Sequence, residues 1–123
     1  MAKKIKKTPE IKSATLLKYW AMAIKARDKK CVYCGRKHDL DAHHIISRRH
    51  AILKYDLDNG ITLCRYHHGM VGNNYEFDEW LKSYLGERYE ELKRKSYQTK
   101  KWTSAEKREK LEELKNYIKE MEK

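Results

Sequence analysis

Apolar positions recur at helical spacing over two stretches of the chain and lose that spacing between them. In the first stretch Leu17, Trp20, Ala21 and Ile24 follow one another at the intervals of a helix face. Thr8 before Pro9 fits an N-cap with proline at the first helical position, so the pattern predicts a helix from about Pro9 to Asp28. From residue 31 to about 73 the helical period fades, and turn formers such as Asp58-Asn59-Gly60 separate short apolar runs. After Asn73-Asn74 the period returns in Phe77, Trp80, Leu81, Tyr84 and Leu85, breaks at Gly86 and resumes through Tyr89 and Leu92. A last helix opens at "TSAE", where Thr103 and Glu106 spell a capping box, and carries Leu111, Leu114, Ile118 and Met121 on one face. That stripe reads as internal packing, with a dimer seam as the alternative.

At 123 residues the chain is most simply one mostly helical domain, 1–123. It divides into a helical arm (1–30), a small site-bearing module (31–73) and C-terminal helices (74–123). Within the module, "DAHHI" and "DNGITLC" are expected to pair as antiparallel strands, with a helix after Cys64 packed across them.

Charge adds a partner. The net charge is +11, and residues 1–30 hold ten Lys and Arg against two acids, whereas the other two parts are close to balance. Such a cluster suits a polyanion, because phosphate neutralisation releases condensed counterions. With 38% charged residues the chain offers no apolar run long enough to span a membrane. The start "MAKKIKK" runs into polar "TPEIKS" rather than a signal-peptide core, so an intracellular, cytoplasmic setting is expected.

The three cysteines, an odd count, argue against a closed disulfide framework and fit a reducing compartment. Cys31-x-x-Cys34 with Gly35 makes a knuckle, and Cys64-x-x-His67 repeats the two-residue gap with an imidazole. Together they form the Cys3His set of a closed structural zinc site. A metal there would also stabilise a segment with too few large apolar residues to fold alone.

His43, His44, Asn59 and His68 remain outside that set. The runs "LDAHHIISRRH", "YDLDNGITLC" and "CRYHHGM", preceded by "RDKKCVYCG", resemble the HNH endonuclease family in its zinc-knuckle, phage-type form, over roughly residues 27 to 70. The resemblance implies an α+β fold with a ββα-metal (His-Me finger) module stapled by zinc between flanking helices. It implies that His43 and His68 are ligands of a catalytic divalent metal, that His44 is the general base, and that Asn59 braces the loop and helps orient the base. One departure is His67, where many relatives have a second Cys-x-x-Cys cysteine; it leaves His67 and His68 to divide the zinc and catalytic-metal roles.

The residue types suit that chemistry independently. Imidazole titrates near neutrality and can activate water for attack on a phosphodiester. Two neutral nitrogens favour Mn, Ni, Co or Zn, while Mg with several waters stays compatible. Strand alternation would turn His43 toward the metal and His44 toward the water. Arg48 and Arg49 after the pair, and Arg65 with Tyr66 between the ligands, are candidate DNA contacts; His38 and His50 fit no ligand spacing and read as surface residues. The expected activity is metal-dependent DNA cleavage, nicking or double-stranded, the latter needing a homodimer or sequential nicks. The alternatives are a non-catalytic zinc module that binds nucleic acid, and a phage packaging or recombination nuclease active only with a partner protein.

Overall fold

The computed structural model describes residues 10–123. The helix start anticipated at Thr8-Pro9 lies outside them. The first helix, α1, spans Ser13–Asp28, several residues later than its periodicity suggested. Lys12 precedes it without a side-chain cap, and the Ser13 hydroxyl instead lies 2.8 Å from the Tyr55 hydroxyl. Leu16, Trp20, Ala23 and Ile24 are its buried residues, while Leu17 and Ala21 are only partly covered. This helix packs on two sides, against a C-terminal helix and against a small sheet, which a single apolar stripe could not reveal. It is part of the core. Its end is tied down: Arg27 donates to the carbonyls of Leu57 (2.9 Å) and Gly60 (2.8 Å), and Asp28 accepts from the Thr62 amide (2.9 Å).

Strands β1 (Leu40–His44) and β2 (Gly60–Cys64) pair antiparallel, with His43 opposite Ile61 and His44 opposite Gly60. The long connection between them contains two 3-10 turns, Ala51–Leu53 and Leu57–Asn59. Alternation assigns the faces. Thr62 donates to the Ile24 carbonyl and Gly60 abuts Trp20, so this face meets α1. Ile61 and Leu63 on the other face join Phe77, Leu81 and Leu85 in a second apolar cluster.

The helix expected after Cys64 is one short turn, α2 (Arg65–His68). Asn74 then caps α3 (Tyr75–Leu85), accepting from the Phe77 amide at 2.9 Å. Gly86, at φ 52°, supplies the left-handed backbone that separates α3 from α4 (Glu87–Lys95). The last helix, α5 (Ser104–Met121), opens with both halves of the Thr103–Glu106 capping box, each at 3.1 Å. Its stripe, with Leu114 and Ile118 buried, lies against α1. Leu111, Leu114 and Ile118 of the stripe are thus packed inside the molecule. The fold is α+β, mostly helical, with the ββα unit at its centre. Among the described residues no helix is long and apolar enough to cross a membrane.

Candidate active site

Two groups of side chains with metal-ligating chemistry lie along the two-stranded sheet: Cys31, Cys34, Cys64 and His67, which could together hold an ion, and the pair His43 and His68. The first is built from the knuckle turn, where the Gly35 amide donates to the Cys31 carbonyl at 2.9 Å and the Cys31 amide to the Arg36 carbonyl at 2.8 Å. Gly35 takes φ 80° there, a conformation a side chain would strain. The Val32 amide donates to the Thr62 carbonyl at 3.0 Å, which docks the knuckle on β2. Cys31, Cys34, Cys64 and His67 consequently bring one ligand atom each within 4.8 Å of all the others. Cys34 Sγ and Cys64 Sγ are 3.9 Å apart, as are Cys31 Sγ and His67 Nδ1, while Cys64 Sγ and His67 Nδ1 are 3.2 Å apart. A zinc ion with bonds of about 2.3 Å gives tetrahedral edges of about 3.8 Å, so the donor set fits zinc in both chemistry and size.

The thiols already respond to one another. Burial opposes ionisation of Cys31, but the amides of Cys34, Cys64 and Tyr33 favour its thiolate and pull it below the usual thiol range. The Arg36 amide favours the Cys34 thiolate, yet desolvation and the neighbouring sulfurs outweigh it and push Cys34 up. Two crowded sulfurs of this kind, Cys31 and Cys34, need a cation nearby before both can ionise.

His67 thereby joins the sulfurs, and His68 turns the other way. The rings of His43 and His68 lie edge to face, with centroids 5.2 Å apart. His68 Nδ1–H donates to Asp41 Oδ2 at 3.1 Å, which turns its Nε2 away from the carboxylate. Burial, helped by the neighbouring charges of His68 and His44, pushes His43 down to about 4. Its imidazole is therefore neutral near pH 7, the state a metal ligand requires. His43 also borders an open groove of about 600 Å³ between the sheet and helices α3 and α4, with Lys82 and Lys93 in its lining. His43 and His68 can hold a divalent ion through two nitrogens, with the remaining positions left to water and substrate oxygens.

His44 occupies the opposite face. Its ring stacks on Trp20, with centroids 3.8 Å apart and planes 9° apart. Its Nε2 lies 3.0 Å from the Lys54 carbonyl, which can only accept, so the proton sits on Nε2 and the lone pair on Nδ1. Burial lowers its basicity, the Lys54 carbonyl opposes that, and the charges of Arg48 and Lys54 add to it.

Asn59 is fully buried, at 0% exposure, and its amide makes three hydrogen bonds to backbone groups. Its Oδ1 accepts from the Ile46 amide at 2.8 Å, and its Nδ2 donates to the carbonyls of Ile46 (2.9 Å) and Leu53 (3.1 Å). Leu53 directly precedes Lys54, so Asn59 clamps the segment whose next carbonyl holds His44. It does not touch His44 itself.

Arg48 and Arg49 are exposed in the turn after β1. Arg65 is exposed too, 3.5 Å from Asp41. Tyr66 stands out at 66% exposure and His38 is exposed, while His50, expected at the surface, is half-buried before the first 3-10 turn. Sequence reasoning passed over Asp41, although its place two residues before His43 puts both on one strand face. It also passed over Trp20 as more than core, because nothing local links α1 to His44.

Residues 31–74 match the family model described as HNH endonuclease. No curated protein and no solved structure matches the chain.

Proposed function

We propose, from the HNH endonuclease domain that this chain carries over residues 31–74, that the protein is a metal-dependent endonuclease hydrolysing DNA phosphodiester bonds. Residues 1–123 act as one domain in this reading. Cys31, Cys34, Cys64 and His67 hold a structural zinc that ties the knuckle to the end of β2 and the start of α2. His43 and His68 hold one catalytic divalent ion, Mg, Mn, Ni or Zn. When bound, such an ion stabilises the charge developing on the phosphate and on the leaving 3′ oxygen.

The chain's own groups do the rest. His44 takes the proton of the attacking water at Nδ1, its Nε2–H staying on the Lys54 carbonyl so that the ring keeps its tautomer. Asn59 is a positioning residue that fixes the segment carrying that carbonyl. Asp41 holds the Nδ1–H of His68 and so directs the other nitrogen outward. Arg48, Arg49 and Arg65 neutralise flanking phosphates. One site cuts one strand per visit, so double-strand cleavage takes a homodimer or two nicks.

The observation that carries this reading is that three of the five histidines outside the zinc set, His43, His44 and His68, each have a defined free nitrogen or a neutral ring, supported by partners that have no role in the zinc set. A second reading, a non-catalytic zinc module that binds nucleic acid, is favoured by one fact: His44 is stacked and hydrogen-bonded on the far face from His43, as a structural histidine would be.

Nicking of supercoiled plasmid separates the two. Protein carrying structural zinc but stripped of other metals is supplied with Mg, Mn, Ni or Zn, and wild type is compared with His44→Ala. Metal-dependent nicking that His44→Ala abolishes while plasmid binding persists is the expected result. Binding without cleavage by either protein under every metal would overturn the nuclease reading.

A further inference from the structure

We propose that Trp20, on a helix outside the HNH segment, is the positioning residue that holds the His44 imidazole in its working orientation, so that the active centre is incomplete without α1. The inference rests on the reading of His44 as general base. A histidine on a strand can rotate about two side-chain bonds, and one hydrogen bond fixes one edge of the ring without fixing its plane. The Nε2 bond to the Lys54 carbonyl supplies the edge. The indole of Trp20, 3.8 Å away and within 9° of parallel, supplies the plane.

Trp20 is itself immobilised. Its Nε1–H donates to the Asp56 carbonyl at 2.9 Å, and it is 2% exposed. Asp56 and Lys54 belong to one short segment, so the same stretch of backbone holds both rings. Gly60, directly across the ladder from His44, makes room for the arrangement. A Cβ there would lie 2.5 Å from Trp20 Cζ2 and 2.7 Å from Ile24 Cδ1. Glycine weakens a strand, and its presence where another backbone or ring approaches closely marks the approach as the purpose.

Burial alone does not explain the contact, because Leu or Met would fill a core position without laying a flat face on a polar ring. The two rings lie face on face, nearly parallel with centroids 3.8 Å apart, a contact that an aliphatic side chain could not make. It also shields one face of the imidazole from water and directs Nδ1 along the plane that the indole sets.

The test uses the full-length, zinc-loaded protein and three variants: Trp20→Phe, which keeps a flat ring; Trp20→Met, which keeps bulk without one; and His44→Ala. Plasmid nicking gives kcat and KM, zinc content and melting report the fold, and NMR of the His44 ring protons reports the ring current of the stacked aromatic. Trp20→Met is expected to lower kcat by about tenfold or more with KM within about twofold, and Trp20→Phe to keep kcat within about threefold of wild type. The His44 ring protons should lose their upfield shift in Trp20→Met and keep it in Trp20→Phe.

A folded Trp20→Met variant at wild-type kcat, with His44→Ala inactive, overturns the positioning role alone. Wild-type nicking by His44→Ala overturns the base assignment and the positioning role together. Should Trp20→Met lose its cooperative melt, Trp20→Phe decides: retained shift with retained kcat, or both lost together, supports the role, and any separation of the two overturns it.

Discussion

Asp41 and His68 stand 27 positions apart in the chain and meet through a 3.1 Å contact between Oδ2 and Nδ1. The contact couples the first strand of the ββα unit to its helix, on the face that also carries His43. A carboxylate on the far nitrogen of a ligating imidazole fixes the ring and raises its basicity, and losing such a partner weakens metal binding by about ten- to hundredfold. Asp41→Ala should therefore weaken binding of the divalent ion proposed at His43 and His68 by that margin while leaving the zinc of the cysteine cluster in place. Calorimetric titration of Mn or Ni into zinc-loaded protein measures it; affinity equal to wild type would remove Asp41 from the site.

Zinc removal should act on stability before it acts on chemistry. Cys34 is exposed, so Cys34→Ser removes one donor without emptying core volume. A structural metal contributes its binding energy directly to folding. The variant should lose its stoichiometric zinc to a chelator that leaves wild type loaded, and its melting temperature should fall by on the order of 10 °C or more. Unchanged melting with unchanged zinc content would show that three donors suffice.

The elements that were legible in the sequence are those whose signals are local. The capping box at Thr103–Glu106, the break at Gly86 and the Cys-x-x-Cys and Cys-x-x-His pairs each act within a few residues, and all recur in the structure. The opposite faces of His43 and His44 follow from strand period alone. What stayed hidden depends on pairs far apart in sequence. Trp20 on His44 spans 24 positions, and α1 against α5 joins the two ends of the described chain. The start of α1 slipped for the same reason, since its beginning follows the tertiary surfaces that cover Leu16 and Trp20 rather than its sequence period.

Glu106 gives the fold a predictable acid response. Its partner Lys100, then the backbone and hydroxyl of Thr103, hold its carboxyl down to about 2 from the usual 4.5. A depressed carboxylate stabilises the fold fully above its unfolded value and loses that contribution as pH falls toward the folded one. Glu106→Gln should therefore melt a few degrees below wild type at pH 7, with the gap closing between pH 4.5 and about 2. Paired thermal scans across that window test it, since both proteins share the same zinc site; a gap that persists at the acid end would assign the effect to helix propensity instead.

Asn59 connects stability to activity through one buried amide. It accepts from the Ile46 amide and donates to the Ile46 and Leu53 carbonyls, and no water reaches it to replace those bonds. Leaving a buried polar group unpaired costs about 1–3 kcal/mol, so Asn59→Ala should destabilise by about 3 kcal/mol or more in urea unfolding, with an unchanged m-value. Asn59→Asp keeps the acceptor for Ile46 but turns a negative oxygen toward two carbonyls, and should be no better tolerated. Because the clamped segment carries the Lys54 carbonyl that holds His44, both variants should also lower kcat at temperatures where they remain folded and zinc-loaded. A stability loss with full kcat would confine Asn59 to the loop and separate it from the base it is proposed to orient.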